Sequence, residues 1–248
     1  MSWTCLRQRS ARSSPVTSFD PVSGRRSFDH PYLLLILTVL FWSGNWVVGR
    51  GLRDDVPPIA LAFWRWALAF ACTLPGAWPH RHLAVAALRA HWRVLGGLAL
   101  LGVTGYNTLA YIGLQTTTAS NGVLLNAFIP IVILALSVVF LGQTLRRGEA
   151  AGVSISLVGV AVIVAHGELE RLLAFRFNPG DLWILVSVLA WAAYTLLLQR
   201  RPAELPSMLL LALLTLLGLV GLLPLYGWEL AQGRSIHWSG GAVLCIAY

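Results

Sequence analysis

Apolar residues fall along this chain in long blocks separated by short polar stretches, and the blocks predict the elements. A helix of about 20 apolar residues crosses a bilayer core of roughly 30 Å. Seven blocks approach or meet that length: Tyr32–Gly49, Ile59–Trp78, Val94–Leu114, Ala119–Leu141, Ala150–Ala165, Leu182–Leu198 and Ser207–Tyr226. An eighth begins near Gly240 and reaches Tyr248, too few residues to cross. Backbone groups in lipid must bond within their own segment, so each block is read as helix. The predicted fold class is all-α integral membrane, with seven to eight helices present.

The blocks also repeat. At one fixed offset of 149 residues, Val39, Leu40 and Trp42 match Val188, Leu189 and Trp191. Pro57 matches Pro206, Leu74-Pro75 matches Leu223-Pro224, and Val94-Leu95 matches Val243-Leu244. Leu and Val matches are cheap in so apolar a chain, whereas a Trp and two Pro in register are not. The repeat unit holds five blocks, an odd number, so a second copy enters the bilayer from the opposite side. That is the inverted-topology architecture of many secondary transporters. The expected layout is a tail over 1–30, a first five-helix unit over 31–165 and an incomplete second unit over 180–248. By the same offset the second unit would run to about residue 314, so the chain is expected to lack its last two to three helices.

Composition sharpens this picture. Hydrophobic residues are 57% of the chain and charged residues only 11%, too few to cover a water-facing surface. Lysine is absent, so all 18 basic residues are arginine. The net charge of +8 suggests nucleic acid at first, but the arginines lie between apolar blocks and form no patch. Twelve of them (Arg7, Arg9, Arg12, Arg25, Arg26, Arg81, Arg89, Arg93, Arg146, Arg147, Arg200 and Arg201) fall on the amino-terminal side of the membrane. Five (Arg50, Arg53, Arg171, Arg176 and Arg234) fall on the other. This asymmetry places the N-terminus in the cytosol, with Asp54, Asp55, Glu168, Glu170 and Asp181 outside. Residues 1–30 are rich in Ser and Arg, lack an apolar run, and read as a disordered cytosolic tail. Cys5, Cys72 and Cys245 are widely spaced, which argues against a disulfide framework or a zinc site.

The opening helix "LTVLFWSGNWVVGRGL", the second helix "PPIALAFWRWALA", the stretch "AYIGLQTTTASNGVLLNAFIPIVILALSVVFLGQTLRRGEAAGVSISLVGVAVIV" and the segment "NPGDLWILVSVLAWAAYTLLLQRR" carry a family likeness. Together they resemble the drug/metabolite transporter superfamily, in particular its EamA-like ten-span exporters. The resemblance covers residues 31–248 and includes Trp42, Gly44, Asn45, Arg65 and Pro130. The family's "LGE" is "LGQ" here, with Gln143 in place of the acid. The resemblance implies two five-helix repeats and export of small metabolites across a bacterial inner membrane. It implies no particular substrate.

Several polar residues lie at bilayer depth, where they face protein or a cavity. Arg65 cannot lose its proton and is flanked by Trp64 and Trp66. It either snorkels outward or faces the bundle interior, and its repeat counterpart is Leu214. Trp42, Asn45, Trp46 and Gly49 share one helical face by their i, i+3, i+4, i+7 spacing. Tyr106, Asn107 and Tyr111 form a polar-aromatic cluster in the third block. In the fourth, Gly122, Asn126 and Pro130 form a stripe, and Pro130 leaves the Asn126 carbonyl without its helix donor. Trp191 and Tyr194 mirror Trp42 and Asn45 in the second unit. For each group, packing alone is the competing reading. His80, His82 and His91, with Arg81 and Arg89, read as a solvated basic loop and not a metal site.

The expected function is secondary transport by alternating access, of amino-acid-like or amphipathic compounds, with no cofactor. No phosphate-binding loop is seen, and no Asp or Glu lies deep in a block. Expected partners are the lipid bilayer and a small-molecule substrate, not nucleic acid; a homodimer is left open. The alternatives are a truncated relative that does not transport, and an integral-membrane enzyme that modifies lipid. The second lacks a cluster of catalytic side chains at one depth.

Overall fold

The computed structural model describes residues 31–144, 147–164 and 178–248. The tail 1–30, Arg146, Ala165 at the end of the fifth block, and the stretch with Glu168, Glu170, Arg171 and Arg176 lie outside these residues. The described residues form helices, with no strand among them. Ten α-helices are labelled in chain order: α1 Pro31–Gly51, α2 Pro58–Ala77, α3 Ala84–Leu98, α4 Tyr106–Thr116, α5 Ala119–Asn126, α6 Ile129–Leu141, α7 Arg147–Val164, α8 Pro179–Leu198, α9 Ser207–Ala231 and α10 Gly240–Ala247. Among the described residues, five helical stretches are long and apolar enough to cross a membrane: Tyr32–Gly51, Pro58–Thr116, Ala119–Leu141, Pro179–Leu198 and Ser207–Ala231. The chain is an all-α integral membrane protein. It divides into two compact units, Met1–Leu40 and Phe41–Tyr248, and all contacts described below lie within the second.

The stretch from Pro58 to Thr116 folds back on itself, so that α2 packs against α4. The reversal uses a 3₁₀ turn over Trp78–Leu83 and a kink at His91, whose φ of −126° and ψ of 23° leave the helical range. The basic loop expected here is therefore largely helical. Its sequence "AVAALRA" consists of strong helix formers, and α3 starts ten residues before the predicted block. A π-helical turn over Ala99–Gly105 joins α3 to α4, where a single helix was predicted.

Helix α4 ends at Thr117, whose backbone is extended at φ −98°, ψ 167°. Asn178 begins α8 with a reciprocal cap: its side chain accepts from the Gly180 and Asp181 N–H groups, while Asp181 accepts from the Asn178 N–H. The fully buried Asp181 also accepts the Thr117 hydroxyl, tying the start of α8 to the α4–α5 junction. A Cβ on Gly113 would meet Ile184 Cγ1 at 2.6 Å and the Gly180 carbonyl at 2.7 Å, so α4 and α8 cross almost backbone to backbone.

Helices α2 and α9 match at the 149-residue offset, each beginning after a proline and each carrying an internal one, Pro75 and Pro224. They pack directly against each other. Ile59 meets Glu229, Phe63 stacks on Tyr226 at 4.9 Å, and Gly76 lies against Met208. Position rises along α2 as it falls along α9, so the two run antiparallel. α8 in turn rests on α4, α5 and α6.

Candidate functional site

Most of the predicted residues gather into two groups. In the first, the Trp191 ring on α8 contacts Trp42 on α1 at 5.7 Å, Tyr106 on α4 at 4.6 Å and Tyr194 at 5.1 Å. Trp42 and Trp191, which match at the 149-residue offset, thus touch each other. The Tyr106 hydroxyl donates to Asn126 Oδ1 at 3.1 Å. Asn126 is the last residue of α5, and the helix breaks there before α6 resumes at Ile129 with Pro130 in its first turn. Gly102 in the π turn seats the Tyr194 ring, since a Cβ there would lie 2.6 Å from it.

In the second group, the Tyr111 hydroxyl donates to Asn45 Oδ1 at 2.9 Å, joining α4 to α1. Gly49 lies against the same tyrosine ring, and Trp46 packs over Gly122. The Arg65 Nη1 donates to the Cys245 carbonyl of α10 at 2.9 Å, so the guanidinium is turned toward a protein acceptor. Asn107 is half-buried and joins neither group.

A well-formed cavity lies elsewhere. It encloses about 600 Å³ where α2 and α8 begin and α4 and α9 end. Ile59, Thr108, Ile112, Leu225, Trp228 and Glu229 line it, and none of the predicted site residues does. The Thr108 hydroxyl is buried without a hydrogen-bond partner among the described residues. Beside the cavity, a smaller polar pocket carries Arg53, Arg234 and His237.

Glu229 was missed by the sequence reading, which ended the seventh block at Tyr226. The helix continues to Ala231, and that extension brings in a carboxylate only 1% exposed. A buried Glu thus lies near the end of a membrane-crossing helix, two residues before its last, Ala231. Its oxygens accept from the Ile59 N–H at 3.1 Å and the Ala60 N–H at 2.7 Å. Pro57 has no side-chain group to cap α2, and Glu229 supplies the acceptors from across the seam. The sequence signal was the uncapped Pro-Pro start of α2. Arg50, read only as a loop charge, donates to the Leu114 and Gln115 carbonyls at 2.5 and 2.9 Å and so closes the end of α4.

Known proteins share this sequence. The profile of the EamA-like transporter family matches residues 30–165. An uncharacterized transporter of Archaeoglobus fulgidus is 33% identical over 200 residues, covering 78% of this chain and 65% of that protein. The uncharacterized transporter YyaM of Bacillus subtilis is 24% identical over 68% of this chain and 55% of its own length. YvbV of the same organism is 26% identical over 87% of this chain and 68% of its own length. The chain thus spans about 65% and 55% of the first two of these relatives.

Proposed function

Because the chain belongs to the EamA-like transporter family, we propose that it works as a secondary carrier of small amphipathic or amino-acid-like metabolites, exporting them by alternating access. The observation that carries this reading is the antiparallel seam between α2 and α9. Two copies of one helix meeting head to tail is the relation expected of inverted repeats, here assigned to 31–165 and 180–248. The repeats rock about the seam, and substrate passes between the aromatic group around Trp191 and the Asn45–Tyr111 pair. Arg65 supplies a fixed positive charge at that passage. The chain sits in the inner membrane of a bacterial cell with its N-terminus in the cytosol, and the Glu229 end of the seam lies toward the outer side.

Metabolite profiles of cells with and without the gene test this directly. A compound retained by cells lacking the gene should exchange against its labelled copy in vesicles holding the purified protein. Arg65→Ala should lower that exchange about tenfold or more while the protein still inserts. Identical profiles, or full exchange by the variant, overturn the carrier reading or the role of Arg65 respectively.

A further inference from the structure

The 149-residue offset pairs Glu229 with His80. An inverted repeat maps each contact across the α2–α9 seam onto a second one at the opposite end. Phe63 with Tyr226 maps onto Ala77 with Ala212, and these two alanines share a core cluster. Gly76 with Met208 maps onto Ile59 with Leu225, and these two line the same cavity. Glu229 with the Ile59 and Ala60 N–H groups maps onto His80 with the N–H groups of Met208 and Leu209.

The first of these last two contacts is made and the second is not. Glu229 caps α2. At the other end, Pro206 gives the start of α9 no side-chain cap, although the 3₁₀ turn carrying His80 packs against that helix. His80 Nδ1 is buried with no hydrogen-bond partner among the described residues. An unprotonated imidazole nitrogen accepts the same kind of N–H bond that a carboxylate does.

We infer that Glu229 and His80 are paired latches of the carrier, each holding one end of the seam in turn. In this state Glu229 clasps the first turn of α2. In the opposite state that clasp opens, and His80 Nδ1 takes the N–H groups at the start of α9. The inference rests on the alternating-access reading. It gives the two ends chemically different holds, so either can be weakened separately.

Cysteine accessibility tests it. In protein whose native Cys5, Cys72 and Cys245 are replaced, Ile112→Cys reports the Glu229 end and Met208→Cys the His80 end. Each is labelled in nanodiscs with a charged maleimide. Glu229→Gln should raise the labelling rate at Ile112→Cys about tenfold and lower it at Met208→Cys. His80→Ala should move both rates the other way. No change at either end in Glu229→Gln overturns the latch and leaves alternating access standing. A rise at the Glu229 end with no fall at the other makes Glu229 a local clasp and removes alternation itself. Parallel shifts in the two variants overturn the pairing.

Discussion

Several polar side chains at bilayer depth, among them Tyr106, Tyr111 and Arg65, donate to a specific acceptor on another helix. Tyr111 and Asn45 join α4 to α1 by one bond of 2.9 Å. Interhelical bonds in membranes average about 0.6 kcal/mol and reach about 2. A double-mutant cycle of Tyr111→Phe and Asn45→Leu, followed by thermal unfolding in detergent, should give a coupling in that range. Additive effects would mean that the pair contributes nothing as a pair. Both residues were visible in the sequence as polar positions in apolar blocks. Arg65 was equally visible, but its acceptor was not, because the Cys245 carbonyl belongs to no side-chain pattern. Glu229 escaped for the same reason: its partners are backbone N–H groups from the far end of the chain.

Among the helices, glycine positions decide how closely pairs approach. Gly113 leaves no room for a Cβ between α4 and α8, whereas Gly96 on α3 has nothing within 4 Å. Gly113→Val should therefore lower the yield of monodisperse protein several-fold, measured by size exclusion. Gly96→Ala should leave it unchanged or stabilise the fold by about 0.5–1 kcal/mol. Equal yields from both variants would show that the α4–α8 crossing tolerates a spacer. Block positions were legible because the bilayer demands apolar length. Helix ends were less so: α9 outruns its block because Glu229 is helical and buried although it is polar. The π turn left no trace either, since apolar residues continue on both sides of it.

For the molecule as a whole, the decisive matter is the relation between the repeats. Asp54 and Glu204 sit in counterpart loops, after α1 and after α8, with exposed carboxylates. In a cysteine-free background, an impermeant maleimide applied to intact cells should label one of Asp54→Cys and Glu204→Cys and reach the other only after permeabilisation. Labelling of both from one side would end the inverted reading. The Trp and Pro matches at the 149-residue offset were legible in the sequence, but the direct meeting of Trp42 with Trp191 required the fold. The π turn at Ala99–Gly105 has its own consequence at this scale. One extra residue rotates everything beyond it by about 100°. As built, α3 and the π turn pack against both α8 and α9, whereas α4 packs against α8 and α2. Removing a residue from that turn would restore an unbroken screw and swing Tyr106, Thr108 and Tyr111 off their present neighbours together, detuning aromatic cluster and cavity wall in a single step.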